Sequence, residues 1–226
     1  MIWRILIFLA MTAVILAAFL TEPPMDPAVS LGDADLYRIF YFHVPLGWIS
    51  ALAFIVALIH SVRYLKTKQL RHDLKATAAA RLGLVFAILA TVTGSVFAKM
   101  TWGEFWNWYE VREVSILILL IIYGAYFALR SALADIETRA SFSAVLAILF
   151  GLSAVFLIFI LPRLLASFSQ HPTDSIVDSG GRITMDSQVA AIFTGSLIAF
   201  TMLFIWLYRL SVRVFGIRGD YPEERY

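Results

Sequence analysis

The sequence predicts an all-α integral membrane protein, a six-helix bundle in which residues 1–226 form a single transmembrane domain, and three observations point there. Hydrophobic residues make up 61% of the chain and charged ones only 15%, well under the roughly 25% charged residues of an ordinary soluble domain. Apolar runs that could cross a ~30 Å hydrocarbon core as helices of about 17–25 residues occur six times. The segments joining those runs divide sharply in their content of Lys and Arg.

The first run, near 3–20, follows a single Arg4 and resembles a signal peptide. It lacks a small-x-small cleavage site before Thr21-Glu22-Pro23-Pro24, so a retained first helix is expected. The second, near 41–62, begins in FHVPLGW; the third lies near 82–99 after a basic stretch, 63–81. The remaining spans are expected near 114–131, 142–162 and 189–208. No internal repeat, low-complexity tract or second soluble domain interrupts this series.

Six spans put both termini on one side. That side would hold Arg4, then Arg63, Lys66, Lys68, Arg71, Lys75 and Arg81, then Arg130 and Arg139, then Arg209, Arg213, Arg218 and Arg225. The other side would hold only Arg38, Lys99, Arg112, Arg163 and Arg182, while ten of the 16 carboxylates lie there. Basic loops stay inside, so both termini are expected in the cytoplasm of a multi-pass protein of the cytoplasmic membrane. The formal charge of +2 averages a basic inner face and an acidic outer one; it gives no reason to expect a nucleic-acid partner, and membrane lipid is the expected surrounding. With no cysteine, disulfides and thioether attachment of haem are excluded.

The outward segments are then roughly 21–40, 100–113 and 163–188, and they carry most of the unusual residues. WGEFWNWYE, 102–110, contains three of the six tryptophans. Trp102, Phe105, Trp106 and Tyr109 fall at i, i+3, i+4 and i+7, so a short interfacial helix is expected to line four rings along one face, with Trp108 pointing elsewhere. Such a cluster fits a membrane-interface aromatic belt or a platform for a flat π system. The pattern alone favours the belt; clustering weakens that reading, since belts spread around all helix ends, whereas here the other outer-end tryptophan is Trp48 alone.

Of four histidines, His72 is expected to be solvated in the basic inner stretch, and His60 to sit inside a span with no partner at its depth. His43 and His171 both fall on the outer face, near Pro45 and Pro172, which constrain the local backbone. Two imidazoles on separate outer segments beside an aromatic floor suffice for axial ligation of haem iron without covalent attachment. Zinc, completed by Asp174, Asp178 or Asp186, is the alternative. Arg38, Arg112, Lys99 and Arg182 are outer cations suited to carboxylate groups such as haem propionates, with snorkelling the other use of Lys99 and Arg163.

Together these residues resemble the CcmC family of haem-handling membrane proteins of cytochrome c maturation. Trp102, Gly103, Trp106 and Trp108 match its signature Trp-Gly-x-x-Trp-x-Trp-Asp in register. Tyr109 stands where the signature has its acid, and Glu110 follows one place later. GDADLYRIFYFHVPLGW, from Gly32 to Trp48, is similar to the segment carrying one ligand histidine, here His43, and QHPTDS to the loop carrying the other, here His171. The resemblance implies noncovalent, transient binding of haem b at the outer face and its presentation to the haem chaperone CcmE, with the small protein CcmD and the transporter subunits CcmA and CcmB as partners. It implies a delivery protein that assists haem attachment rather than an enzyme. Two rivals are a b-type cytochrome subunit, which would place histidine pairs inside its helices, and a small-molecule transporter with an aromatic gate, which the scarcity of ionisable groups within the spans disfavours.

Overall fold

A computed structural model describes residues 2–22, 38–171, 176 and 185–217. No strand occurs among them. The helices are α1 (Ile2–Leu20), α2 (Phe40–Thr67), α3 (Leu70–Trp102), α4 (Val111–Ala132) and α5 (Ile136–Val155). A π-helical turn, Phe156–Ile160, carries α5 into α6 (Leu161–Leu164) and a 3-10 turn, Ala166–Phe168; α7 (Ser187–Ile217) closes the described chain. Six of these stretches, with α5, the π-turn and α6 counted as one, are long and apolar enough to cross a membrane. The protein is a multi-pass membrane protein.

The central helix is α2, packed against α3, α5 and α7, with α1 leaning on α7. Small residues make this possible, because without a hydrophobic force between helices in lipid, close backbone approach and dispersion must hold them together. On α5, Ala140, Ala144, Ala147, Gly151 and Ala154 are buried at helical spacing; on α3, Ala76, Ala79, Ala80, Gly83, Ala87 and Ala90 are. Phe54 fills the space they leave and stacks on Tyr123 with centroids 3.7 Å apart. A Cβ on Gly83 would sit 2.5 Å from the Phe54 ring, so this contact needs glycine.

Two prolines shape the end of the bundle where the candidate site lies. Pro45 cannot donate to the carbonyl of Tyr41, four residues back, and Ser196 of α7 donates its hydroxyl to that carbonyl instead. Pro162 follows the π-turn, in which Leu161 N–H reaches back five residues to Phe156 O. Turns of this kind are rare in helices and commonly sit beside functional sites.

The structure departs from the sequence expectation in two places. First, α3 begins at Leu70, not near 82, so most of the basic stretch is helix and the break is only Lys68–Gln69, with Lys68 left-handed at φ 56°. Alanine-rich LKATAAAR favours helix, and Arg130 grips the buried Asp73 through two contacts of 2.8 and 2.5 Å, which allows a carboxylate inside the bundle. His72 is therefore on α3, not in a solvated loop, and its ring lies 5.7 Å from that of His60, which does have a partner at its depth. Second, 103–110 is a series of bends and a turn rather than a helix. Gly103, at φ 84°, ends α3 with its N–H on Lys99 O, and the Asn107 side chain accepts from Tyr109 N–H at 2.9 Å, an Asx turn that competes with helix.

Candidate functional site

A cavity of about 270 Å³ opens among the first turns of α2 and α4, the last third of α3 and the π-turn–α6 segment. His43 and His171, far apart in sequence, both line it, as do Trp48, Trp106, Arg112, Glu113 and Arg163. The walls are otherwise largely apolar or small, with Ala90, Thr91, Gly94 and Ser95 forming the α3 side.

His43 is held by α3. Its Nδ1 lies 3.0 Å from Ala90 O and 3.1 Å from Thr93 Oγ1. A carbonyl can only accept, so the proton sits on Nδ1 and the lone pair on Nε2, the arrangement a metal-ligating imidazole requires. Among the described residues Nε2 has no hydrogen-bond partner. Gly94 makes room for the ring: a Cβ there would come 2.8 Å from His43 Cε1. Gly94→Ala should therefore leave the fold intact but displace the imidazole, with ligand affinity at the cavity falling by about tenfold, a cost typical of overpacking a fitted contact; titration of the purified variant would show it.

His171 is held by Glu110. The Glu110 carboxylate is 1% exposed and accepts from Ser169 Oγ at 2.7 Å, Gln170 N–H at 2.6 Å and Arg112 N–H at 3.2 Å. His171 Nδ1 lies 3.1 Å from Glu110 Oε1, off the hydrogen-bonding line. Burial pushes the carboxyl pKa up, but the contacts with His171, Ser169 and Gln170 outweigh it and hold the pKa at about 2. A charged carboxylate thus sits behind Nδ1, again leaving Nε2 without a protein partner among the described residues. Glu110 also N-caps α4, and Asn107 Nδ2 adds a second tie to the His171 loop by donating to Gln170 Oε1 at 3.3 Å.

The aromatic residues separate into three positions. Trp106 lines the cavity. Trp102 lies behind, edge-on to the His171 ring at 4.9 Å and to Phe97 at 5.6 Å, where it braces the imidazole. Trp108 is 69% exposed, 5.9 Å from Trp106, and Phe105 and Tyr109 are exposed as well. The four-ring face expected from helical spacing does not form. Gly103 lies off the cavity and serves the backbone turn.

The cations also divide. Arg112 and Arg163 line the cavity, whereas Arg38 donates to Ala18 O and Thr21 O at the end of α1 and lies over the Phe19 ring. Lys99 donates to Gly103 O at 2.8 Å. Besides His171 Nδ1, three cavity residues keep a buried polar atom without a hydrogen-bond partner among the described residues: Trp106 Nε1, Arg112 Nε and Glu113 Oε1. Glu113 engages its other oxygen with Asn107 N–H at 2.5 Å. Buried orphans are uncommon, and three beside one cavity fit a ligand with polar groups of its own. Of the carboxylates considered for zinc, Asp186 instead accepts from Gln188 N–H at the start of α7; Asp174 and Asp178, like Arg182, lie outside the described residues.

Gly94, Glu113 and Arg163 are absent from the residues that sequence reasoning singled out for binding. Their only sequence signal was position near an outer helix end.

Comparison with known proteins gives a consistent result. The family model described as heme exporter protein C matches residues 1–221. The heme exporter protein C of Bradyrhizobium diazoefficiens is 31% identical over 215 residues, 93% of this chain and 78% of that protein. That of Rhodobacter capsulatus is 29% identical over 182 residues, 78% and 71% of the two chains. A mitochondrial ccmC-like protein of Marchantia polymorpha is 36% identical over 125 residues, and the match spans about half of each, 53% of this chain and 54% of that one.

Proposed function

The chain belongs to the heme exporter protein C family, and from that premise we propose that it holds haem b noncovalently and transiently and presents it to a haem chaperone of the CcmE type for cytochrome c maturation. One observation carries this above the others. His43 and His171 line one cavity, His43 with Nδ1 on the Ala90 carbonyl and His171 with Nδ1 3.1 Å from the Glu110 carboxylate, and neither Nε2 has a partner among the described residues. That is the donor set a bis-imidazole iron site takes, and the absence of cysteine leaves no thioether to make attachment permanent.

Haem supplies the iron chemistry; the protein's task is position and charge. Under this proposal His43 and His171 are the axial ligands, Trp106 faces the porphyrin, and Arg112 and Arg163 take the propionates. Trp102 and Glu110 position His171 without touching the cargo, and exposed Trp108 belongs to the side from which a chaperone would approach. The bias of Lys and Arg toward the opposite end of the bundle supports the reading that this cavity faces outward from the cytoplasmic membrane, with both termini inside. CcmD and the subunits CcmA and CcmB are the proposed neighbours, and the protein acts by delivery rather than as an enzyme.

Transfer is directly measurable. Loaded with haem and mixed with purified chaperone, the protein should pass its haem on. Trp106→Ala should lower haem retention, whereas Trp108→Ala should retain haem and transfer it more slowly. Haem that stays bound indefinitely while cycling reversibly between redox states would sink the delivery role and favour a b-type cytochrome.

The contact between His60 and His72 is the observation that favours that rival, since it places a second histidine pair at the other end of the bundle. The two readings predict different stoichiometries. Delivery requires one haem per chain and a spectrum unchanged in His60→Ala/His72→Ala; electron transfer across the membrane requires two haems and loss of one in that variant.

A further inference from the structure

The helices that open the haem cavity at one end enclose another at the opposite end, about 210 Å³ in volume, between α3, α4, α5 and α7. The two are separate: Leu74, Thr77 and Arg81 of α3 line the second and Ala90 to Phe97 line the first, about 14 Å apart along one helix at their nearest residues.

Three guanidinium groups face the second cavity, from Arg81, Arg130 and Arg139, each on a different helix. Arg130 is matched by Asp73, held in a two-pronged contact and 2% exposed, so that pair builds the wall and contributes little net charge. Arg81 and Arg139 supply the excess. The Arg81 guanidinium lies 4.4 Å from the centroid of the Phe215 ring, a contact that fixes its plane without consuming its N–H donors. Arg139 Nε is buried and has no hydrogen-bond partner among the described residues, while the hydroxyl of Thr77, a residue 4% exposed, lies near Tyr126 but off the hydrogen-bonding line. A buried donor left unmatched is destabilising, and here such groups converge on one space.

What this arrangement asks for is a compact anion with several acceptor oxygens. Guanidinium edges match the spacing of phosphate oxygens and bind them in pairs, and a threonine hydroxyl completes such a cradle. Leu74, Phe127 and Phe215 add apolar wall beside the cations, which suits a phosphate carried by something amphipathic. The cavity also lies at the basic end of a membrane bundle, where pockets between helices take anionic headgroups. We propose that this cavity is a phosphate-binding site, filled by the headgroup of an anionic phospholipid or by free phosphate. It is independent of the haem site and of the delivery function.

The full chain, purified in uncharged detergent, can be tested by native mass spectrometry with phosphatidylglycerol and phosphatidylcholine, and by thermal unfolding with inorganic phosphate. The wild type should retain phosphatidylglycerol at least about tenfold better than phosphatidylcholine. Each arginine near an anionic headgroup is worth roughly fivefold in binding, so Arg81→Gln/Arg139→Gln should abolish the preference, while Arg63→Gln/Arg71→Gln, on the same basic end but off the cavity, should keep it. Thr77→Val provides a milder variant should the double variant fail to fold, with an expected loss of a few-fold. Displacement of the lipid by inorganic phosphate, with a melting temperature raised in wild type and not in the variants, would identify free phosphate as the occupant; retention in excess phosphate would identify the lipid. Equal retention of both lipids by wild type, with no response to phosphate, overturns the site, as does a preference unchanged in Thr77→Val and in whichever arginine variants fold.

Discussion

His171→Ala, purified and loaded with haem, is expected to lose the absorption spectrum of six-coordinate iron and to retain at least tenfold less haem than the wild type, the scale on which metal sites respond to disturbed ligation. His43→Ala should do the same, and the double variant should bind little beyond what apolar contact provides. Both imidazoles are held by groups that stay in place when the ring is removed: Ala90 O and Thr93 Oγ1 for His43, and the Glu110 carboxylate for His171. Free imidazole added to either single variant should therefore restore much of the spectrum by occupying the vacated space. Single variants with wild-type spectrum and haem content would rule out axial ligation by this pair.

The second large effect is expected at Glu110, a residue that need not touch haem at all. Glu110→Ala would leave the Ser169 hydroxyl and the Gln170 N–H without acceptors and remove the cap of α4. Losses of that kind amount to on the order of 2–4 kcal/mol when a buried charged acceptor is deleted, visible as a lower melting temperature. The segment after α6 that carries His171 would come loose, and haem affinity should fall about 10–100-fold, as when the group orienting a metal-bound histidine is lost. Glu110→Gln keeps an acceptor and should recover most of the stability, but without the negative charge behind the imidazole it should recover less of the affinity. A Glu110→Ala variant with unaltered haem affinity would show that His171 is positioned by something else.

How far the sequence discloses all this depends on the distance over which each contact acts. The spans are legible because hydropathy is a local property: every expected run falls inside one of the six observed membrane-length stretches. The start of α3 is not, because Asp73 and the neighbouring cations suggest a loop until Arg130, 57 positions later, neutralises the carboxylate. His43 and His171 stand out by residue type and flanking prolines, yet what orients them comes from Ala90, Thr93 and Glu110, each separated by dozens of residues. Arg38 and Arg112 look alike as outer-end cations. Only packing shows that one closes α1 while the other borders the cavity. The aromatic run misleads through its spacing, since i, i+3, i+4 and i+7 mimic a helix that a left-handed glycine and an Asx turn prevent.

The π-turn in α5 fixes how this protein can vary. Five residues there occupy a loop of hydrogen bonds that an α-helix would close one residue sooner, so the helix carries what amounts to a single inserted amino acid, retained beside the cavity. Deleting one residue of Phe156–Ile160 would restore regular winding and leave everything downstream facing nearly as before, whereas deleting one from the regular winding of α5 would rotate it by about 100°, taking Arg163 away from the cavity and re-aiming the segment that leads to His171. Substitutions in this stretch should be tolerated if they remain apolar, and a change of one residue in length should be absorbed here as nowhere else in the helix. Among relatives, a one-residue gap at this turn would leave the same side chains at the cavity, while a gap placed earlier in the helix would bring a different set to it.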